Sequence, residues 1–311
     1  MSSLSTLPDK LKEKPKKPKG KRRKLRFDLS FDGYNYSGWQ FHPNKKKPAV
    51  YTIVAAAWGK ATNESGKSFG PVAAARLDAG VSADHQICSV RTHKNWTNDD
   101  LRELLDLVNS FLPSDIRCLY IAPVPIKFHA INSPKWKRYG YTVRGISEET
   151  IGTVDSNDSI RCWNRKGLII DPNLTLKALK QYVGTHDFRR FTSSDGPWKD
   201  SSTSEDVTPT RSAVRIIFAV SLTELSNGRL HITIKGNRFM QHMVRRMVAV
   251  AIAVGTGELM MSDLVTALGR DAEKWNNTHI RLPRPWRTFC APTVGLCLEK
   301  IMLEEFLEPV G

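Results

Sequence analysis

Two residues with reactive side chains, Arg76 and Asp78, lie two positions apart and just before the pair Ala79-Gly80. Glycine allows the chain to turn tightly, and the alternating segment 86–91 that follows is typical of a strand. A carboxylate on such a turn can face a cleft while its backbone stays anchored, and a neighbouring arginine keeps it ionised. Asp78 is therefore a candidate catalytic residue, although an isolated Arg-x-Asp-x-Gly commonly marks a surface turn.

Strands and helices alternate along the chain and must position this turn. This order predicts an α+β fold with helices packed on antiparallel sheets. Because the pattern recurs after residue 134, we expect two similar lobes, residues 27–133 with the Asp78 loop and residues 134–311, the second with an insertion loop over 193–210. The predicted strands are 25–31, 86–91, 116–124, 136–145, 213–223, 230–235 and 294–302. The predicted helices are 49–63, 98–112 with Asn98 as N-cap, 174–183, 239–254 ended by Gly255-Thr256-Gly257, and one capped by Ser262.

Positive charge is the main compositional signal. The 311-residue chain has a formal net charge of +16 and a sequence pI near 9.7, which favours a polyanionic partner. Residues 10 to 26 contain eleven lysines and arginines and one acid, Glu13. We expect residues 1–26 to form a disordered basic arm, because a Lys/Pro/Gly-rich segment cannot bury a core. The arm could be a nuclear-localisation signal, a non-specific grip on RNA or a solubilising tail.

Several classes of protein and site are disfavoured by the composition. Five cysteines occur without any C-x-x-C spacing, which indicates buried thiols in a reducing compartment rather than disulfides or zinc. Eight scattered histidines do not indicate a metal site. We find no apolar run of the ~20 residues that a membrane span needs and no secretory signal. The expected location is intracellular, in the nucleus or cytoplasm, with the mitochondrion as an alternative.

A series of short motifs follows one order along the chain. They are Tyr36-Ser-Gly-Trp-Gln40, the Asp78 loop, Asn109-Ser-Phe-Leu-Pro-Ser-Asp-Ile116, Phe128-His-Ala130, Arg138-Tyr-Gly-Tyr141, Gly184-Thr-His-Asp-Phe188, Phe239-Met-Gln-His-Met-Val-Arg245 and Gly295-Leu296. Over residues 27 to 302 this series resembles the TruA-type tRNA pseudouridine synthases. Ser82, where many members carry histidine, resembles their eukaryotic subgroups.

The resemblance implies an isomerase that needs no cofactor, detaches uracil from its ribose and rejoins it through C5. It also implies the pseudouridine synthase fold, with two ferredoxin-like or RRM-like lobes flanking a central basic active-site cleft. The partner would be RNA, with tRNA as the leading candidate, and the protein could be a homodimer or a monomer.

Roles for five residues follow from the same resemblance. Asp78 matches the catalytic aspartate, which acts as nucleophile or general base. Arg76 matches an arginine that extrudes the target base or contacts RNA, and Tyr139 a tyrosine that lies against the flipped uracil. Arg245 matches the arginine that pairs with the catalytic carboxylate, and Leu296 an apolar residue of the pocket.

Physical arguments favour these roles independently. Uracil C1′ and C5 are shielded in a stacked helix, so the nucleotide must be extruded, and an aromatic face can stack on the freed base. Arg245 lies in an otherwise apolar segment and is costly to bury unless a carboxylate pairs with it. The run Lys135-Trp-Lys-Arg-Tyr139 mixes cations and aromatics, as RNA-contacting segments do. His129 and His186 are expected to be structural.

Departures from the family pattern leave other functions open. Ala75-Arg-Leu-Asp78 replaces the common Gly-Arg-Thr-Asp, and Ile131 replaces an arginine. One alternative is therefore a catalytically silent, synthase-like RNA-binding scaffold in RNP or ribosome assembly. Another is a nucleic-acid-binding module without the synthase fold.

Overall fold

The computed structural model describes residues 23–64, 70–146, 161–166, 168–193, 212–269 and 289–303. Residues 1–22 of the predicted arm and 194–210 of the predicted insertion loop lie outside these ranges. The boundary placed after residue 26 needs correction, because a strand begins at Arg23. Arg26 is buried, and its guanidinium binds the Asp28 carboxylate, with Nη2 2.7 Å from Oδ2. By charge alone Arg26 resembles the residues of the arm. Its ion pair with Asp28 shows that it belongs to the strand.

The described elements are α+β, as predicted. The helices are α1 (Val50–Thr62), α2 (Asn98–Phe111), α3 (Pro172–Lys180), α4 (Met243–Gly255) and α5 (Met261–Ala267). The strands are β1 (Arg23–Phe31), β2 (Val72–Ala73), β3 (Ser82–Thr92), β4 (Ile116–Val124), β5 (Trp136–Ile146), β6 (Trp163–Lys166), β7 (Gly184–Asp187), β8 (Val214–Glu224), β9 (Arg229–Gly236) and β10 (Leu296–Met302).

The ten strands found in the described ranges belong to one sheet, in the order β4-β1-β3-β10-β5-β9-β8-β7, with β2 added to β3 and β6 to β5. Neighbours along this order pair antiparallel except β3 and β10, which run parallel, with Cys297 opposite Ser82. The antiparallel halves expected as two lobes are thus joined at β3 and β10 into a continuous sheet. This junction places the end of the Asp78 loop beside β10 and, one strand further, β5.

The helices pack on this sheet and on each other in pairs, α1 with α2 and α3 with α4. In the first half, the ring of Phe27 on β1 lies 4.7 Å from that of Trp58 on α1. In the second half, α4 is buried on almost every side from Met247 to Gly255. A helix that is apolar all round belongs in a core, so α4 anchors the residues at its N-terminal end.

Several predicted helix starts are wrong in detail, among them that of α3, which begins at Pro172 and not at residue 174. Thr97, not Asn98, caps α2, because Thr97 and Asp100 exchange hydrogen bonds in a capping box. The cap of α5 is at Met260 rather than Ser262, and Asp263 accepts a hydrogen bond from the Met260 amide at 3.0 Å. The helix predicted from residue 239 begins at Met243, because His242 has a left-handed backbone conformation that an α-helix cannot contain.

Candidate active site

The loop that carries Asp78 runs from β2 to β3 and is held by the Tyr36-Ser-Gly-Trp39 motif. The Trp39 amide donates to the carbonyl of Leu77 at 3.0 Å, and the Gly80 amide donates to the carbonyl of Tyr36 at 3.3 Å. Gly38 has a φ of +99°, and a Cβ there would lie 2.7 Å from the Leu77 carbonyl oxygen. Only glycine permits both this conformation and this close approach, which accounts for the glycine of the motif.

Buried side chains fix the residues just before Asp78. Gln86 is completely buried, donates from Nε2 to the carbonyl of Ala75 at 2.7 Å, and accepts from the Ala75 amide at 3.2 Å. Lys137 on β5 donates from Nζ to the carbonyl of Ala74 at 2.6 Å. These hydrogen bonds fix the loop to both halves of the sheet, so the backbone just before Asp78 is held in place.

The Asp78 carboxylate meets two side chains from the start of α4. Its Oδ2 lies 3.1 Å from Arg245 Nη1 and 3.3 Å from His242 Nε2. Arg245 also donates from Nε to the carbonyl of Ala291 at 2.6 Å, which holds its guanidinium in place. The guanidinium thus places a fixed positive charge beside the Asp78 carboxylate. The arginine expected to need a carboxylate partner therefore has one.

All five predicted site residues line one cavity of about 800 Å³. They are Arg76, Asp78, Tyr139, Arg245 and Leu296. Their sequence separation is large, but the sheet order places β5 beside β10, where Tyr139 pairs with Leu298 and Leu296 with Tyr141. In this arrangement one ligand could contact all five side chains.

Tyr139 forms an aromatic wall of the cavity. Its ring is nearly perpendicular to that of Phe239, with ring centroids 5.1 Å apart. Burial, together with the negative charge of Asp78, raises the pKa of the Tyr139 phenol well above its ordinary value. The hydroxyl group is therefore protonated at neutral pH and can donate a hydrogen bond.

The cavity is also rich in cations, some of which were not predicted. Lys45, Arg76, Lys137, Arg215 and Arg238 line it together with Arg245, whereas Asp78 is its one lining carboxylate among the described residues. Burial, and secondarily the charge of Arg238, lower the pKa of Lys137 to about 8. Burial and then Arg238 also lower the pKa of Arg215. Arg238 therefore lies close enough to both Lys137 and Arg215 to repel them.

Sequence patterns missed His242, Arg215 and Arg238 as site residues. His242 lies inside the quoted motif 239–245, but the pattern alone gives it no partner. Arg215 on β8 and Arg238 after β9 come together because those strands pair, and the Asn237 amide donates to the carbonyl of Ile216. A usable signal was Gly236-Asn237, which marks a turn after a strand and places the next cation, Arg238, at the end of that strand.

The remaining singled-out residues have structural partners. His129 Nδ1 accepts from the Ile131 amide at 3.2 Å, and His186 Nε2 lies 3.0 Å from the carbonyl oxygen of Val183. Ser82 accepts from the Gly33 amide at 3.0 Å, and Leu77 is 7% exposed. The Ser82 and Leu77 departures from the family pattern are thus accommodated by loop packing.

Neither a metal cluster nor a membrane-spanning helix occurs within the described ranges. No three His, Cys, Asp or Glu residues there are placed to hold a metal ion. No described helix has the length and apolar character to cross a bilayer.

Comparison with known proteins gives a consistent result along the chain. Residues 178–301 match a family model described as tRNA pseudouridine synthase. The tRNA pseudouridine synthase A of Moorella thermoacetica is 31% identical over 279 residues, covering 89% of this chain and 98% of that protein. The tRNA pseudouridine synthase A of Ruminiclostridium cellulolyticum is 28% identical over 284 residues, covering 90% and 99%.

One solved structure among the matches is an archaeal box H/ACA sRNP Nop10–Cbf5 complex. The matched chain is 8% identical with a TM-score of 0.30, over 87% of this chain and 58% of that one. The assignment of this chain to a family depends on the sequence relatives.

Proposed function

The chain belongs to the tRNA pseudouridine synthase family, and we propose that it isomerises uridine to pseudouridine in tRNA with Asp78 as its catalytic residue. The observation that carries this proposal is the convergence of Asp78, Tyr139 and Arg245 on one cavity. A carboxylate, its cationic partner and an aromatic wall are the groups that the reaction requires, and each comes from a different element of the sheet or its helices.

The reaction breaks the bond from uracil N1 to ribose C1′ and forms a bond from C5 to C1′. The proton of C5 is released, and N1 takes up a proton, so the product is an isomer of the substrate. Asp78 contributes a carboxylate that acts as nucleophile or general base, and Arg245 pairs with it. Since ribose C1′ and uracil C5 are shielded in a stacked helix, the uridine must be extruded. A cavity of about 800 Å³ falls in the range of small-molecule sites and can accept one nucleotide.

Tyr139 supports the extruded base in this account. Its ring can stack on the uracil, which is worth about 1–3 kcal/mol per base. Because its pKa is raised, the hydroxyl remains a hydrogen-bond donor throughout the neutral range. Leu296, which is 7% exposed, adds an apolar surface and displaces water.

The lining cations account for binding of RNA. Arg238 repels both Lys137 and Arg215, and the carboxylate that acts on Arg215, Asp187, is already paired with Arg189. A phosphate group of the RNA backbone would relieve this repulsion. Arg and Lys contacts to phosphates position a nucleic acid without reading its sequence, which suits an enzyme that must hold a distorted nucleotide.

The activity is tested with tRNA carrying a hydrogen isotope label at uridine C5. Isomerisation exchanges that hydrogen, so the wild-type protein should release label at its target position, and the product nucleoside should be pseudouridine. A catalytically silent scaffold would bind the same tRNA and release none. Binding without release from unmodified tRNA or from total cellular RNA would contradict the proposal.

A further inference from the structure

His242 begins α4 in a backbone conformation that few residues adopt. Its φ is 59°, and Asn63 is the one other non-glycine residue with a positive φ in the described ranges. Asn63 ends a helix, where this conformation is common. His242 instead begins one, and such strain costs on the order of 1–3 kcal/mol unless the surroundings enforce it. In this conformation Nε2 lies 3.3 Å from Asp78 Oδ2.

A chain of hydrogen bonds determines where the ring proton of His242 lies. Arg246 Nη2 is 3.1 Å from Ser193 Oγ, which is 2.6 Å from His242 Nδ1. A guanidinium can only donate, so the Ser193 oxygen accepts from Arg246 and its own hydrogen is available for Nδ1. A carboxylate can only accept, and Asp78 Oδ2 lies 3.3 Å from Nε2, so the proton of the neutral imidazole is assigned to Nε2 and Nδ1 accepts from the Ser193 hydroxyl.

Burial and the two arginines that face the ring also favour its neutral form, against the effect of Asp78. Burial lowers the pKa of His242 below its ordinary value, Asp78 opposes this effect, and Arg245 and Arg246 on α4 add to it. At neutral pH the ring is thus uncharged, and it presents an N–H group rather than a second full positive charge to Asp78.

The two oxygens of Asp78 consequently differ. Oδ2 accepts from Arg245 and faces the His242 N–H, whereas Oδ1 has no hydrogen-bond donor in the described part of the chain. Hydrogen bonding to a carboxylate stabilises the charged form and weakens it as a base. We infer that His242 is a positioning residue that holds Oδ2 through Nε2–H, so that Oδ1 is the oxygen presented to the target uridine. This inference rests on the proposed function of Asp78.

Two substitutions separate the hydrogen bond from the backbone conformation. In His242→Gln the amide nitrogen reaches about as far as Nε2 and can still donate, but glutamine disfavours the left-handed conformation. In His242→Asn the side chain tolerates that conformation, but its amide ends near the position of Nδ1 and cannot reach Asp78. A histidine outside the cavity offers the control His186→Gln.

The rate of label release from tRNA is measured for these variants under single-turnover conditions, and their affinity for tRNA is measured separately. We expect His242→Asn to lower the rate by about 10- to 100-fold, as for the removal of one hydrogen bond to a charged group. His242→Gln should retain more activity than His242→Asn, with tRNA affinity unchanged in both. Equal rates in the two variants, or a faster His242→Asn, would show that the backbone and not the hydrogen bond matters, and would overturn the inference.

The pH profile supplies a second readout. Protonation of His242 sets a full positive charge against Asp78 and weakens it as a base. Because burial lowers the pKa of His242, the wild-type rate should fall with a midpoint below about 6.5, the ordinary pKa of histidine. In His242→Gln the fall should begin at lower pH, because no imidazole remains to take up the proton. Superimposable profiles would contradict the inference. Absence of label release from the wild type would instead contradict the proposed function.

Discussion

At the scale of single residues, the site depends on how the charge of Asp78 is balanced. Asp78 and Arg245 have side chains that are 32% and 16% exposed, so their attraction is only partly screened by water. Arg245 also donates to the Ala291 carbonyl. A lysine has one nitrogen and cannot reach both acceptors in the same geometry.

Replacing Arg245 should therefore lower activity more than it lowers binding of tRNA. We expect Arg245→Met to reduce the single-turnover rate on the order of 100-fold or more, and Arg245→Lys to recover little of it. Arg102 on α2 is an exposed arginine paired with Asp99, and Arg102→Met serves as the matched control. A rate for Arg245→Met within threefold of that control would contradict the assigned pairing.

The lowered pKa of Lys137 predicts that RNA binding depends on pH. With a pKa of about 8, it is protonated at pH 7 and loses its proton as the pH rises through 8. If its charge contributes to phosphate binding, the Kd for tRNA should rise between pH 7 and 9, by up to about tenfold per pH unit above the pKa. Lys137→Met should bind more weakly at pH 7 and be nearly independent of pH, whereas parallel titrations of the two proteins would refute this role.

At the scale of elements, the long periodic segments were predictable and the short paired ones were not. β1, β4, β5 and β8 to β10 were predicted near their observed positions because each alternates over many residues. β2, β6 and β7 have two to four residues, too few for a periodic signal, and form only because β3, β5 and β8 offer pairing edges.

The site shows a similar division. Asp78, Tyr139 and Arg245 could be proposed because each lies in a motif with a family counterpart. His242 could not, since its role depends on a left-handed φ and on Ser193, 49 residues earlier in the chain. Arg215 and Arg238 come together through strand pairing, which periodicity does not reveal.

The approach of the Gly38 loop to the Asp78 loop can be tested with two glycines. Gly38 and Gly228 both have positive φ values, but a Cβ at Gly38 would meet the Leu77 carbonyl, whereas nothing lies within 4 Å of one at Gly228. Gly228→Ala should cost about 1 kcal/mol of stability and no activity. Gly38→Ala should lower both the urea midpoint and the rate, because the Asp78 loop must move. Equal effects of the two substitutions on the rate would contradict a role for Gly38 in positioning the Asp78 loop.

At the scale of the whole molecule, the site is assembled from both halves of the continuous sheet. Asp78 precedes β3, Tyr139 lies on β5 and Arg245 on α4, and the parallel pairing of β3 with β10 brings them together. The family model covers residues 178–301 and thus omits Asp78 and Tyr139. The full-length relatives cover about nine-tenths of the chain, in agreement with a site that needs both halves.

The basic N-terminal segment should supply affinity without chemistry. Seven lysines precede residue 22, and a truncation after Lys21 leaves β1 complete. Lysines in a Pro/Gly-rich segment can contact phosphates but not read bases. Deleting residues 1–21 should therefore weaken tRNA binding and reduce its salt slope by ~0.7–0.9 for each phosphate that the shortened protein no longer binds, while the modified uridine stays the same. An unchanged salt slope or a different modified uridine would contradict this division of roles.

The most direct test of the central claim is label release from C5 by Asp78→Asn, measured beside the wild type in preparations free of other synthases. The substitution keeps the shape of the side chain and removes its charge. We expect release below detection, together with tRNA binding and a melting temperature close to those of the wild type. Label release by Asp78→Asn at the wild-type rate would show that the Asp78 carboxylate does not carry the reaction.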